Sequence, residues 1–278
     1  MTFAAIMQVD DGLVLATDSA STISAVDENG NNTTAHVYFN ADKVFNLIKG
    51  QSVGCMTWGS GSIANNSITT LVKDFRECYS EKKKDEIKKE MIDISSVANS
   101  FNQFIQKKID DTKTSVDLIG FVIAGYSKDK NNPEIFLLEF SNESNKGPER
   151  INKDKTMSIK WFGEIEYTSR LLLGISAFMP EVLADNDFDN EVSKKVVSVF
   201  KENLQLPIGA SAMPIQDAVD FVDFLVDFNC KMSKFMPGAQ IIGGPVDLAV
   251  ITRHENFKWI KRKHYFGEKL NRGNMNDK

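Results

Sequence analysis

Three residues near the start of the chain carry side chains that could act together: the hydroxyl of Thr2, the carboxylate of Asp18 and the ammonium of Lys43. A hydroxyl is a weak nucleophile until a base takes its proton. A threonine at a free chain start carries its own base, because an α-amine has a pKa of roughly 7.7–8.0 and can accept and return a proton near neutrality. Met1 must leave first, and a second residue as small as Thr2 is compatible with its removal. A nearby ammonium would favour the neutral amine and stabilise a hydroxyl losing its proton, and a carboxylate would hold that ammonium. An oxyanion needs backbone N–H donors. Gly59, at the end of one predicted strand and just before a helix, is where such donors are free.

Each residue also has an ordinary use. Thr2 can be the second residue of a strand, Asp18 can cap a turn through Asp-Ser hydrogen bonds, and Lys43 can be a solvated strand end. Gly59-Ser60-Gly61-Ser62 has the look of a phosphate loop but lacks the Gly-Lys-Ser/Thr ending. His36, His254 and His264 are scattered, with no acid or cysteine set nearby, so neither a metal centre nor a histidine-based triad is expected. Cys55, in an apolar run, reads as a small buried hydrophobe.

The elements that would position these residues follow from pattern. Residues 2–9 and 13–17 are apolar runs joined by Asp10-Asp11-Gly12, a strong hairpin signal. This hairpin returns Asp18 toward the chain start. Residues 24–36 are polar and read as a loop or an extended hairpin tip. A second strand pair is predicted around Lys49-Gly50, with Lys43 beginning its first strand. Ile63, Ile68, Leu71, Val72 and Phe75 then predict a helix, and Val97, Phe101, Phe104, Ile105 and Ile109 another. The run 80–90 is a charged, solvated link. Strands are expected over 117–127, 133–141, 157–163, 246–252 and 256–263, and helices over 190–203 and 214–235. The strands look buried on at least one face with helices available to cover the other. Two stacked, mostly antiparallel sheets with a helix layer outside each give an α+β fold, a four-layer αββα sandwich. One domain over 1–265 and a polar tail over 266–278 are expected.

With 42% hydrophobic residues among 278, the chain can bury a substantial core. A net charge of −5 argues against a general nucleic-acid binder. Cys55, Cys78 and Cys230 form neither a metal-ligand spacing nor an even disulfide set, which fits a reducing compartment. The start has no basic segment of the signal-peptide type, and no run reaches the ~18–20 apolar residues of a membrane span. A cytoplasmic chain with no membrane partner is the expectation.

The stretch TFAAIMQVDDGLVLATDSAST, followed by ADKVFNL and then WGSGS before a helix, resembles a proteasome β-subunit or its bacterial relatives, which are N-terminal-nucleophile (Ntn) hydrolases with an αββα sandwich. GFVIAGYSKDKNNPEIFLLEF is similar to that family's central strand pair, and GGPVDLAVIT to its late Gly-Gly turn and strand. FGEIEYTSRLL together with GGPVDLAV looks closer to the bacterial ancestral-β-subunit (Anbu) proteins. The resemblance implies Thr2 as nucleophile and amine base, Asp18 with Lys43 as the supporting ion pair, and Gly59 as an oxyanion-hole donor. It implies that Thr22 hydrogen-bonds the substrate backbone, and that Ser21 and Thr57 line the side-chain pocket. Three positions depart from the family. Glu164 stands where a serine supports the amine, and Ala239 and Ile242 stand where an Asp and a Ser are found. Glu164 would then salt-bridge the amine or take over as base.

The expected activity is that of a threonine-type peptidase acting on peptides or unfolded proteins, without metal or small cofactor. The resemblance implies a homo-oligomer, a ring or open spiral with an unfoldase ATPase as a possible partner. Subunit contacts are expected over 63–75 and 97–109. A scaffold of the same fold without peptidase activity, or an amidase on small molecules, are the alternatives.

Overall fold

The computed structural model describes residues 2–26, 32–88, 92–112, 117–141, 145–153, 157–209 and 211–263. The predicted tail over 266–278 and His264 lie outside the described residues. Strand β1 (Phe3–Val9) turns at Asp10-Asp11 into β2 (Gly12–Thr17), with Val9 opposite Gly12 and Ala4 opposite Thr17. Both strands are buried along their whole length, as strands covered on both faces must be. The polar stretch that follows is a two-stranded ribbon, β3 (Ser21–Val26) against β4 (Asn32–Tyr38). Next come β5 (Val44–Asn46) and β6 (Val53–Gly59), paired around the predicted turn. A small hairpin, β7 (Ser62–Ile63) with β8 (Asn66–Ser67), leads into α1 (Ile68–Lys82). Ile63 therefore belongs to the hairpin. The helix starts after Ser67, whose hydroxyl accepts from Thr70 N–H and caps it.

The charged run is the end of α1 followed by α2 (Lys84–Lys88). Then follow α3 (Ile94–Thr112), β9 (Ile119–Gly125), β10 (Glu134–Phe140), the short β11 (Glu149–Arg150) and β12 (Ser158–Gly163). Three helices, α4 (Glu166–Leu173), α5 (Met179–Asp185) and α6 (Asn190–Leu204), precede the long α7 (Ile215–Phe235). Strands β13 (Asp247–Thr252) and β14 (Asn256–Lys261) close the described chain.

One sheet runs β12-β1-β2-β13-β14 and the other β11-β10-β9-β6-β5, with antiparallel pairings throughout. Alternation of side chains along each strand fills three layers of core. Ile6, Leu15, Met56 and Val122 meet between the sheets. Phe75 of α1 and Phe101 of α3 pack with Phe121 and Leu138 on the outside of the second sheet. Val222 and Leu225 of α7 pack with Phe3 and Val14 on the outside of the first. The result is the four-layer αββα sandwich, and each fully buried Leu or Phe contributes about 1.5–3 kcal/mol.

Candidate active site

The site lies where β1 begins and where β2, β6 and β12 end. Thr2, immediately before β1, is 3% exposed. Its carbonyl accepts from Glu164 N–H at 2.8 Å. This approach depends on Gly163, opposite Phe3 in the ladder, which takes φ +82°. A Cβ there would stand 1.9 Å from the Thr2 carbonyl oxygen, so only glycine fits. Phe162, one residue earlier, stacks on Trp58 with ring centroids 4.3 Å apart, tying the end of β12 to the end of β6.

Asp18 is fully buried, at 0% exposure. Its N–H donates to the Phe3 carbonyl at 3.1 Å, and its Oδ1 accepts from Phe3 N–H at 3.1 Å. Oδ1 also accepts from Lys43 Nζ at 2.7 Å. Oδ2 accepts from Ala20 N–H and from Gly243 N–H, each at 3.0 Å. A buried carboxylate is tolerated when it is paired and hydrogen-bonded in this way. The same oxygen thus fixes the residue next to Thr2 and the ammonium of Lys43. Burial pushes Lys43 below the usual lysine range, while the charge and hydrogen bond of Asp18 oppose that shift. Lys43 therefore releases its proton more readily than a solvated lysine.

Gly59 ends β6 with φ +88°, and a Cβ there would lie 2.1 Å from the Leu118 carbonyl oxygen. The next N–H, of Ser60, donates to that carbonyl at 3.1 Å, and the chain leaves the sheet. Ser21 faces this turn, its Oγ lying 3.5 Å from where a Gly61 Cβ would sit. Thr22 follows in β3, opposite Val37. Thr57 is buried; its N–H donates to the Lys43 carbonyl at 2.9 Å and its hydroxyl to the Gly120 carbonyl at 2.9 Å. That hydroxyl proton is committed to the sheet. Glu164 presents Oε1 to Glu166 N–H at 3.1 Å, at the first turn of α4, where a carboxylate is favoured by the helix dipole. Ile242 is buried among the side chains under α7, its N–H donating to Ser233 Oγ at 3.3 Å.

The structure thus joins Asp18 to Lys43 and to Phe3, the residue after Thr2, bonds the Thr2 carbonyl to the Glu164 backbone, and sets Ser21 beside Gly61. Several site residues escaped the chemical reading of the sequence. Gly163 and Gly243 were visible only as a strand end and a turn. Their roles are a close backbone approach and a backbone donor, which no side chain announces. Asp247, a carboxylate inside the apolar run VDLAVIT, carried a signal that passed unused. Its partner Lys263 arrives from far along the chain and carried none.

Among the described residues, no group of three or more His, Cys, Asp or Glu side chains is placed to hold a metal ion. No helix there is long and apolar enough to cross a membrane.

The layers and topology define an Ntn-hydrolase-like sandwich. Within that class the chain has the fold of the Anbu ancestral β-subunits. Anbu from Yersinia bercovieri superposes with a TM-score of 0.52 at 12% identity, over 95% of this chain and 88% of that one. The helical assembly of the Anbu complex from Pseudomonas aeruginosa gives 0.51 at 11% identity, over 97% and 91%. Anbu from Hyphomicrobium sp. strain MC1 gives 0.50 at 14% identity, over 94% and 88%. At such identities the likeness is one of fold. No family model matches the sequence, and no curated protein does.

Proposed function

We propose that this chain is a threonine-type hydrolase of peptide bonds, with Thr2 as the nucleophile once Met1 has been removed. The observation that carries the reading is the double use of Asp18 Oδ1, which accepts from Phe3 N–H and from the Lys43 ammonium. It gathers the chain start, a buried carboxylate and a lysine of lowered proton affinity at one point. The Thr2 hydroxyl attacks the substrate carbonyl while its own amine takes the proton. Lys43 keeps the amine neutral and stabilises the developing alkoxide. The Gly59 backbone N–H receives the oxyanion. The amine returns its proton to the leaving nitrogen, and water then hydrolyses the Thr2 ester. Thr22 holds the substrate backbone, and Ser21 and Thr57 border its side chain. No metal or small cofactor enters these steps.

The test is intact mass before and after treatment with an epoxyketone, which joins both the amine and the hydroxyl of an N-terminal threonine. Loss of Met1 and one adduct, absent in Thr2→Ala, is the expected result. A retained Met1, or a free Thr2 that takes no adduct, rejects the reading.

A scaffold without peptidase activity is favoured by two observations. Glu164 spends one carboxylate oxygen on α4, and Ile242 has no polar side chain to offer the site. On this reading Glu164→Ser, which restores the hydroxyl expected there, gains labelling that the native chain lacks.

We further infer that copies of the chain assemble, as the Anbu complex from Pseudomonas aeruginosa does. The outward side of α1 is polar, with Thr70, Lys73 and Glu77 exposed. The exposed apolar side chains Val182, Phe188, Val192, Phe200 and Leu204 lie instead on α5, α6 and the link between them. This surface is a better candidate for a subunit contact than residues 63–75 and 97–109.

A further inference from the structure

Asp18 and Ser19 are neighbours, and each holds a buried lysine. Lys43 binds Asp18, as described. Lys263, just beyond β14, binds Ser19, with its side chain only 6% exposed. Its Nζ donates to Ser19 Oγ at 2.6 Å and to Asp247 Oδ2, with Asp42 Oδ1 3.9 Å away. Its N–H donates to Asp247 Oδ1 at 3.3 Å. Ser19 passes this restraint onward. Its hydroxyl donates to the Pro245 carbonyl at 2.6 Å, and its N–H to the Gly243 carbonyl at 2.9 Å. Gly243 N–H then donates to Asp18 Oδ2 at 3.0 Å. An unbroken series of hydrogen bonds runs from Lys263 through Ser19 and the Gly243–Pro245 turn to the carboxylate that fixes Phe3 and Lys43.

The simpler use of Lys263 would be to staple β14 to β13. That use needs only Asp247, and the two strands already pair from Leu248 to Thr252. The bond to Ser19 lies outside that ladder. A buried ion pair is a poor source of net stability, because desolvation offsets its attraction. What this one supplies is a fixed place for the Ser19 hydroxyl and for the turn bound to it.

We propose that Lys263 is a positioning residue of the Thr2 site, holding the Gly243–Pro245 turn through Ser19 so that Gly243 N–H stays on Asp18. Its ammonium also opposes protonation of Lys43, adding to the effect of burial. The kinetic consequence rests on the Thr2 reading above; the geometric one does not.

The test compares the full chain with the double variant Lys263→Met/Asp247→Asn, which removes both charges and leaves no buried carboxylate unpaired. Amide hydrogen exchange reads Gly243 and Phe3, and epoxyketone labelling gives kinact and KI. Protection at both amides is expected to fall about tenfold, and kinact to fall about tenfold with KI unchanged, as for a reacting group set loose by a remote change. Lys263→Arg, which keeps the cation, restores kinact in part. If the double variant does not fold, Ser19→Ala carries the same readouts, since it leaves the Asp247–Lys263 pair intact. Native protection at Gly243 overturns the proposal, and so does lost protection with native kinact. If the native chain takes no adduct, the nucleophile reading fails, and exchange at Gly243 and Phe3 still decides whether Lys263 holds the site.

Discussion

Asp18 and Lys43 share one ion pair but differ in what each leaves behind when replaced. Asp18→Asn turns an amide NH2 toward backbone donors and strips Lys43 of its counter-charge. The expected loss is about 3–5 kcal/mol, read from the urea midpoint. Lys43→Met leaves Asp18 still accepting from the N–H groups of Phe3, Ala20 and Gly243. Its loss should be the smaller, about 1–3 kcal/mol. Both variants should lose most Thr2 labelling, so stability and reactivity part company in Lys43→Met. The cysteines give a second check. Cys78 is exposed and Cys55 buried, while burial and the nearby Asp18 push the Cys230 thiol up to about 12. Only the thiolate alkylates, so iodoacetamide at pH 8 should modify Cys78 first. The Cys230 rate should climb with pH without levelling off below about 12. At this scale the sequence was legible where a side chain was out of place: a hydroxyl behind Met1, a carboxylate closing an apolar run. Ala20 and Gly243 serve through backbone N–H groups, which every residue but proline carries, so nothing marked them.

Elements were legible in proportion to their length and period. The β1–β2 hairpin and α7 carried strong signals, the first in Asp-Gly and the second in repeated apolar positions through Val222 and Leu225. Helix α4 has no side-chain cap, and α5, although Pro180 and Glu181 stand in its first turn, buries no residue and so has no apolar stripe to follow that start signal. Both passed unpredicted as helices, although α4 is the element whose first turn engages Glu164. The β3–β4 ribbon was half legible. Polar composition marked it as surface, but its cross-strand pairing had no alternation to show. One glycine tests the element that brings Thr2 into place. Gly163→Ala forces a Cβ into the Thr2 carbonyl at φ +82°. The backbone must shift at a cost of about 1–3 kcal/mol. A lowered Tm with loss of Thr2 labelling is the expected result, and a native Tm with native labelling would show that β12 yields freely.

At the scale of the whole molecule, the contact proposed through the apolar surface of α5 and α6 can be tested directly. Phe200→Glu with Leu204→Glu would set two like charges, one turn apart on α6, into any contact made there, and association should weaken by at least about tenfold, because a charge buried in an interface without a partner is strongly unfavourable. Sedimentation velocity reads this as a shift toward the lone chain, and an unchanged profile would move the contact to another face. The sandwich itself was legible because its apolar strands need cover on both sides. Which surface meets a second copy was not, because helix periodicity shows only the face turned inward. One last consequence comes from the place of β1, between β12 and β2 inside its sheet. A strand held on both sides cannot slide, since a shift of one residue would turn every side chain to the opposite face. If the chain is trimmed to begin at Thr2, as proposed, the sheet is a ruler for that cut. A cut one residue early or late cannot be absorbed, and if Thr2 is the nucleophile, each copy is either live or silent. The live fraction of a preparation, counted by mass spectrometry of its N-termini, then sets its specific activity in direct proportion.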